Sequence, residues 1–349
     1  MISQQELAEK AGITRSSVGV HISNLVKKGY IAGKGYVLRS GTYVVVVGGV
    51  NMDIGGKSFA PMIARDSNPG TVTMSVGGVG RNIAHNISLL GIDARMLSAV
   101  GDDLYAEKIA ATCTACGLDF SRVRQVQGAA TSTYVYLGGP DGDMALAVND
   151  MSVCSEITPG YLEENRKLLS GAQVVVVDTN IPEASLQWLC GNIQVPIFAD
   201  PVSVTKAEKL RPVLGTLHTL KPNRLEAELL SGVPIRSDAD LERAAEVLLE
   251  TGLRRVFISL GTDGVYAADH SGSVRLPCYT ASIQNATGAG DAFVAGLVWA
   301  YLKGTDLGVT ARAGLAAAAI SAEGTETIND ALTENALLAR MNMNMEVLK

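Results

Sequence analysis

Two textures of hydrophobic and polar positions divide the chain. Over residues 3–28 the apolar positions recur at helical spacing: Leu7, Ala8, Ala11 and Ile13, then Val18, Ile22, Leu25 and Val26, form the core of two short helices separated by a turn at Gly12. Ser3 and Thr14 are placed to cap these helices, and residues 29–38 read as a short hairpin. From residue 43 onward, apolar runs of strand length alternate with helical patterns, at residues 43–49, 94–100, 173–177, 195–199, 216–220 and 255–259. Strands apolar on both faces and separated by helices predict an α/β fold in three layers, with a mainly parallel sheet and ligands at the strands' C-terminal ends. Residues 71–76, 131–137 and 144–148 instead alternate apolar and polar, the last two joined by Gly138-Gly139-Pro140-Asp141-Gly142. They predict a small antiparallel sheet near 68–76, 131–137 and 144–149, projecting from the main one as a lid.

Within the second texture, Asn285-Ala286-Thr287-Gly288-Ala289-Gly290-Asp291 follows an apolar stretch at residues 279–283, which reads as a strand. It precedes residues 292–302, whose Ala, Leu, Val and Trp content suits a buried helix. Asp291 therefore falls at a helix N-terminus. There the N–H groups of Gly288, Ala289, Gly290 and Asp291 form an anion hole, and glycine lets a phosphate approach the backbone. A carboxylate beside such a hole suits taking a proton from a hydroxyl that attacks phosphorus; the same residues would also serve as an ordinary N-cap. Two other nucleotide motifs fail on spacing. The dinucleotide fingerprint needs a glycine where Phe293 stands, and Asn51-Met52-Asp53-Ile54-Gly55-Gly56-Lys57-Ser58 has Asn51 where a P-loop has its first glycine.

With 349 residues, 47% hydrophobic and 18% charged, and 37 glycines, the chain suits one large core with a small addition. Its apolar runs are too short to span a bilayer and its first ten residues too polar for a secretory signal, so a cytoplasmic protein with no membrane partner is expected. The odd number of cysteines fits reduced thiols, and the lone pair Cys113 and Cys116 suits helix packing more than metal or redox work. His21, His85, His218 and His270 are scattered and suggest no metal site. Charge changes the picture at the front. Residues 1–40 hold six basic side chains against two acidic ones, a balance of +4, which against −6 for the whole chain leaves −10 for the remainder. Opposite signs point to an anionic polymer as partner for the first segment and a small molecule for the body.

The first segment resembles a winged helix-turn-helix module. That resemblance places Arg15, Ser16, Ser17 and His21 on a recognition helix and Lys34 on the wing, against duplex DNA; a helical hairpin used for dimer packing is the plainer reading. In the body, Asn51 and Asp53 end the first strand, where an acid and an amide can hold a polyol. Gly77-Gly78-Val79-Gly80-Arg81-Asn82 opens a helix with Asn82 at the same mouth, or is only a sharp connection. Asn223 and Glu226 make a capping box, or hold phosphate and, through water, Mg²⁺. Ser259-Leu260-Gly261-Thr262-Asp263-Gly264 ends another strand as a wall for a nucleotide.

Gly77 to Asn82, Asn223 to Glu226, Gly261 to Gly264 and Ala286 to Asp291, in this order over roughly residues 42–335, resemble the ribokinase-like, or PfkB, carbohydrate and nucleoside kinases. The resemblance implies ATP and Mg²⁺ as cofactors and Asp291 as catalytic base, with Gly288, Ala289 and Gly290 as its anion hole. It assigns Asn223, Ser259, Gly261, Thr262 and Gly264 to ATP, together with Gly288 and Gly290, and Glu226 to Mg²⁺. It assigns Asn51, Asp53, Gly77, Gly78 and Asn82 to a ribose-like ring. Asn285 stands where relatives commonly carry an acid at a monovalent-cation loop, so a K⁺ site would depend on backbone oxygens.

Asp66-Ser67-Asn68-Pro69-Gly70, the Arg81 variant of the glycine turn, Thr131-Ser132-Thr133-Tyr134 and Val148-Asn149-Asp150-Met151 are most similar to the pseudouridine kinases of that family. A carbon-linked uracil keeps an extra ring N–H, which Asn68, Ser132, Asn149 and Asp150 on the lid could satisfy. The sequence therefore predicts a winged module over residues 1–40 and a kinase domain over residues 41–349. The resemblance implies phosphorylation of a nucleoside 5′-hydroxyl and a homodimer formed through the lid. A kinase for inosine, cytidine or ribose, or a regulator that senses a nucleoside with a kinase fold, are the alternatives.

Overall fold

The valine run Val44–Val47 is buried at every position, and its side chains alternate between two cores. Val44 and Val46, with Val174 and Val176, pack against one helical layer; Val45 and Val47, with Val175 and Val177, pack against the other. A strand with no polar face requires helices on both sides, and the fold supplies them. Helices Val79–Leu89, Ala289–Leu302 and Leu307–Ala322 cover the first face, and Glu183–Asn192, Arg224–Ser231 and Asp238–Glu250 the second.

The computed structural model describes residues 4–27, 31–32, 37–38, 42–140 and 144–343, in two units, Met1–Thr42 and Tyr43–Lys349. In the larger unit an eight-stranded sheet runs in the order Gly272–Leu276, Val265–Asp269, Arg255–Ser259, Thr219–Leu220, Ile197–Asp200, Val174–Asp178, Val44–Val47 and Ala94–Leu97. The strands from Arg255–Ser259 to Ala94–Leu97 are parallel, and the first two are antiparallel additions at one edge.

A separate four-stranded sheet runs in the order Met144–Asp150, Thr133–Gly138, Asn51–Ser58 and Gly70–Gly77. It differs from the sequence reading in two ways. Asn51–Ser58, polar and glycine-rich, is a strand of this sheet, held by partners on both edges, and its pairing with Thr133–Gly138 is parallel. Thr131 and Ser132 lie before the strand. Residues 279–283 are no strand either: they run alongside a cavity, with Tyr279 and Ile283 in its wall. The helix after them starts at Ala289, three positions earlier than its apolar content suggests.

In the smaller unit, helices Gln4–Ala11 and Arg15–Lys27 are followed by the paired strands Ile31–Ala32 and Val37–Leu38. Thr14 caps the second helix, its Oγ1 accepting the Ser17 N–H at 3.2 Å. Of the expected core, Ala8 and Val18 are buried, while Ala11, Ile13 and Leu25 are exposed, because helices this short enclose little volume. Lys34, the boundary at residues 40–41 and part of the lid turn at 138–142 fall outside the described residues. Among the described residues no helix is long and apolar enough to cross a membrane.

Candidate active site

Three neighbouring parallel strands, Val174–Asp178, Ile197–Asp200 and Thr219–Leu220, end in or run directly into charged residues. Asp178 and Asp200 are opposite one another at the last paired positions of their strands, and Lys221 directly follows Leu220. Lys221 Nζ lies 2.9 Å from Asp200 Oδ2, a buried ion pair. Asp178, fully buried, accepts the N–H groups of Gly49 and Asn180 at 2.8 Å each. Burial pushes its carboxyl above the usual range, which those two N–H groups oppose.

Onto this edge two glycine turns deliver two helices. Gly78 caps helix Val79–Leu89 with φ 99°, and a side chain there would meet Gly49 O at 2.6 Å, so only glycine permits the turn to lie against residues 48–50. Gly288 caps helix Ala289–Leu302 with φ 85°, where a Cβ would collide with the Thr327 carbonyl. Asp291 is thereby set in the first helical turn, buried, with Asn82 Nδ2 donating to its Oδ2 at 2.9 Å. Burial first, and the like charge of Asp200 second, raise the Asp291 carboxyl to about 8 against the opposing effects of Asn82 and Lys221. A proton acceptor poised near neutral pH suits general-base work.

The Ala289 N–H turns back to Ala286 O at 3.3 Å, so it is not one of the free donors that the sequence suggested. Gly290 and Asp291 remain in the first turn, where no helical carbonyl precedes their N–H groups.

A cleft of about 550 Å³ opens over these groups. Its wall includes Asn51, Asp53, Gly78, Asn82, Asn149, Asn223, Glu226, Gly288, Gly290 and Asp291, all expected from the sequence. It also includes Tyr134, Met151, Asn180, Asp200, Lys206 and Lys221, none of which was singled out for the site. A second cavity of about 290 Å³ holds Ser259, Gly261, Thr262 and Gly264, with apolar walls from Ile283, Phe293, Leu315 and Ala319. Lys221 and Gly290 line both, so the two cavities meet at the start of the Asp291 helix.

Asn223 and Glu226 make a complete capping box: Asn223 Oδ1 accepts the Glu226 N–H at 2.9 Å and Glu226 Oε2 accepts the Asn223 N–H at 2.8 Å. The box faces the cleft, so cap and site coincide. Burial raises the Glu226 carboxyl, Asp200 adds to the effect, and the Asn223 N–H and Lys221 oppose it; a divalent cation would relieve such a group. Among the described residues no three or more His, Cys, Asp or Glu side chains gather as a metal site. Glu226, in the wall of the cleft, could help hold a Mg²⁺ that arrives with phosphates, through water. Also lining the cleft, Asn51 Nδ2 donates to Asp53 Oδ1.

Several expected residues lie elsewhere. Asn68 spends its amide on Ile63 and Asp66 within its own loop. Ser132 is buried against Cys154, and Asp150 accepts the Ser152 N–H at 2.9 Å. Gly77 pairs with Asn51 in the lid sheet. Asn285 staples its loop, donating to Thr325 O and accepting from Thr287 N. On helix Arg15–Lys27, Arg15, Ser16 and His21 are exposed, and the Ser16 and Ser17 hydroxyls both engage Thr14 Oγ1, at 3.0 and 2.8 Å.

A family model described as pfkB family carbohydrate kinase matches residues 41–334, and one described as winged helix-turn-helix DNA-binding matches residues 2–32. The uncharacterized sugar kinase YeiI of Escherichia coli is 40% identical over 342 residues, covering 97% of this chain and 94% of that protein. Pseudouridine kinase of Escherichia coli is 42% identical over 270 residues, covering 76% and 86%. Among solved structures, a carbohydrate kinase from Agrobacterium tumefaciens matches with a TM-score of 0.75 at 27% identity, over 86% of this chain and 97% of that one. Arabidopsis thaliana ribokinase complexed with ribose and ATP shares the fold, with a TM-score of 0.77 at 20% identity over 86% and 99%.

Proposed function

Since the chain belongs to the pfkB family of carbohydrate kinases, we propose that it transfers the γ-phosphoryl group of ATP to the 5′-hydroxyl of pseudouridine. The observation that carries the reading is Asp291, buried, held by Asn82, and placed where the two cavities meet. The apolar cavity takes the adenine and the polar cleft takes the nucleoside. The 5′-oxygen gives its proton to Asp291 as its bond to the γ-phosphorus forms, and the bond from that phosphorus to the bridging oxygen breaks, leaving ADP with the electron pair. The N–H groups of Gly290 and Asp291 and the amine of Lys221 face the charge that develops. Mg²⁺, held by ATP and through water by Glu226, would neutralise phosphate charge.

The identity to a pseudouridine kinase and the amides of Asn51, Asn149 and Asn180 around the cleft support the choice of base. Pseudouridine, uridine, inosine, cytidine and ribose, each assayed with Mg²⁺ and ATP, provide the test. Loss of one hydrogen bond to a polar pocket costs about 1–3 kcal/mol, so pseudouridine should exceed uridine about 5- to 150-fold in kcat/KM. Equal efficiencies would sink the base assignment.

The first unit adds a second role, which we propose to be binding of duplex DNA by a dimer. The winged helix-turn-helix match and the +4 balance of residues 1–40 support it. A dimer has a candidate surface: Val72, Met74, Val135, Leu137, Leu146 and Val148 are exposed, and strand register places them on one face of the lid sheet. Full-length protein should be dimeric by light scattering and shift duplex DNA at low salt, with affinity falling as salt rises. Leu146→Glu with Val148→Glu should give monomers and weaker DNA binding. Absence of any DNA affinity at low salt would make the helix pair a packing element.

A further inference from the structure

Arg81 sits where a cation is poorly placed for stability. It is 4% exposed, lies in the first turn of helix Val79–Leu89, and its Nε is buried without a hydrogen-bond partner. A positive charge near a helix N-terminus opposes the backbone dipoles, and an incompletely paired buried guanidinium costs folding free energy. What it gains is two acceptors: Arg81 Nη1 donates to Val76 O at 3.0 Å, in the lid strand Gly70–Gly77, and to Asn82 Oδ1 at 3.1 Å. Asn82 in turn donates through Nδ2 to Asp291. The two ends of a carboxamide are nearly alike in shape, so hydrogen bonds alone decide which end faces the carboxylate.

We propose that Arg81 is a positioning residue, which holds the oxygen end of Asn82 so that its amino end faces Asp291, and which ties that alignment to the root of the lid. The inference rests on the reading of Asp291 as the base. A flipped Asn82 would present a carbonyl to Asp291, and only a protonated carboxyl can donate to a carbonyl. The flip therefore holds Asp291 in the form that cannot accept a proton. The other charged groups acting on Asp291 are Asp200, Asp178 and Lys221. The titratable groups around Arg81 are Asp53, His85 and the Cys113 thiol, with Asp330 acting on His85. His85 is held at about 4, by burial first and Arg81 second, so it stays neutral in the range that matters.

The test is steady-state kinetics across pH for Arg81→Met, Arg81→Gln and Arg81→Lys, with and without Asn82→Ala. Removing the donor should lower kcat about tenfold and move the acid limb of its pH profile upward, with KM for ATP unchanged; lysine should restore part of both. If the methionine variant does not fold, glutamine, too short to reach both acceptors, carries the same expectations. In the Asn82→Ala background the Arg81 changes should add less than about twofold, because their route runs through Asn82. Full additivity, or an unmoved acid limb with only a lower melting temperature, would overturn the inference. Inactive Asp291→Asn beside fully active Arg81 variants would defeat this proposal alone, whereas active Asp291→Asn would defeat the base assignment itself.

Discussion

Asp291→Asn should reduce kcat by about 10² to 10⁴ while leaving the fold and the binding of both substrates intact. Asparagine keeps the size of aspartate and still offers Asn82 an oxygen to donate to, so the contact at 2.9 Å survives while the proton acceptor is lost. Two pH measurements accompany the kinetics. In the wild type, kcat/KM should fall as pH drops below about 8, because the buried carboxyl takes up a proton there. The residual rate of the variant should lack that limb. Stability should move too. The folded carboxyl keeps its proton to about 8 and the unfolded one loses it near 3.8, so between those values the folded state binds more protons. Wild-type stability therefore declines as pH rises through this window, and the variant should decline less steeply. Near-normal turnover, or a protein that melts, would show that Asp291 is a helix cap and that the base lies elsewhere.

Legibility of the fold followed the length and purity of the apolar runs. Val44–Val47 and Val174–Asp178 could be read because strands buried on both faces leave no polar interruption. Asn51–Ser58 could not, since its sequence, NMDIGGKS, has neither an apolar run nor clean alternation and is made a strand by neighbours on both edges. Residues 279–283 misled in the opposite sense: their apolar character serves a cavity wall. In the site, residues in helix-opening motifs, such as Asn82, Asn223, Glu226 and Asp291, announced themselves through glycines and caps. Asp200 and Lys221 did not: Asp200 is a single polar residue ending an apolar strand, with no motif around it, and Lys221 stands two residues before the Asn223 cap, whose capping box accounts for the local pattern without it. A signal was nonetheless present. In a parallel sheet the first polar residue after each apolar run lies at the C-terminal edge, where ligands bind, and that rule selects Asp178, Asp200 and Lys221 together.

Lys221→Met should cost both stability and turnover, and the two losses should separate on a second substitution. Lys221 Nζ pairs with Asp200 Oδ2 at 2.9 Å, and both side chains are close to fully buried. Removing the amine leaves Asp200 buried without its partner, for which about 3–5 kcal/mol of unfolding free energy is the expected loss at neutral pH. Asp200→Asn in the same chain removes the orphaned charge, so the double variant should be more stable than Lys221→Met alone in urea unfolding. Catalysis should not recover with it. Lys221 borders both cavities, and a side chain at position 290 would meet its amine at 3.1 Å, so the charge stands beside the turn proposed to receive phosphate. Losing a cation at such a place should lower kcat about 10²- to 10³-fold in the single and the double variant alike. If the double variant regains turnover along with stability, Lys221 only neutralises Asp200, and the donors around the phosphate are the backbone N–H groups alone.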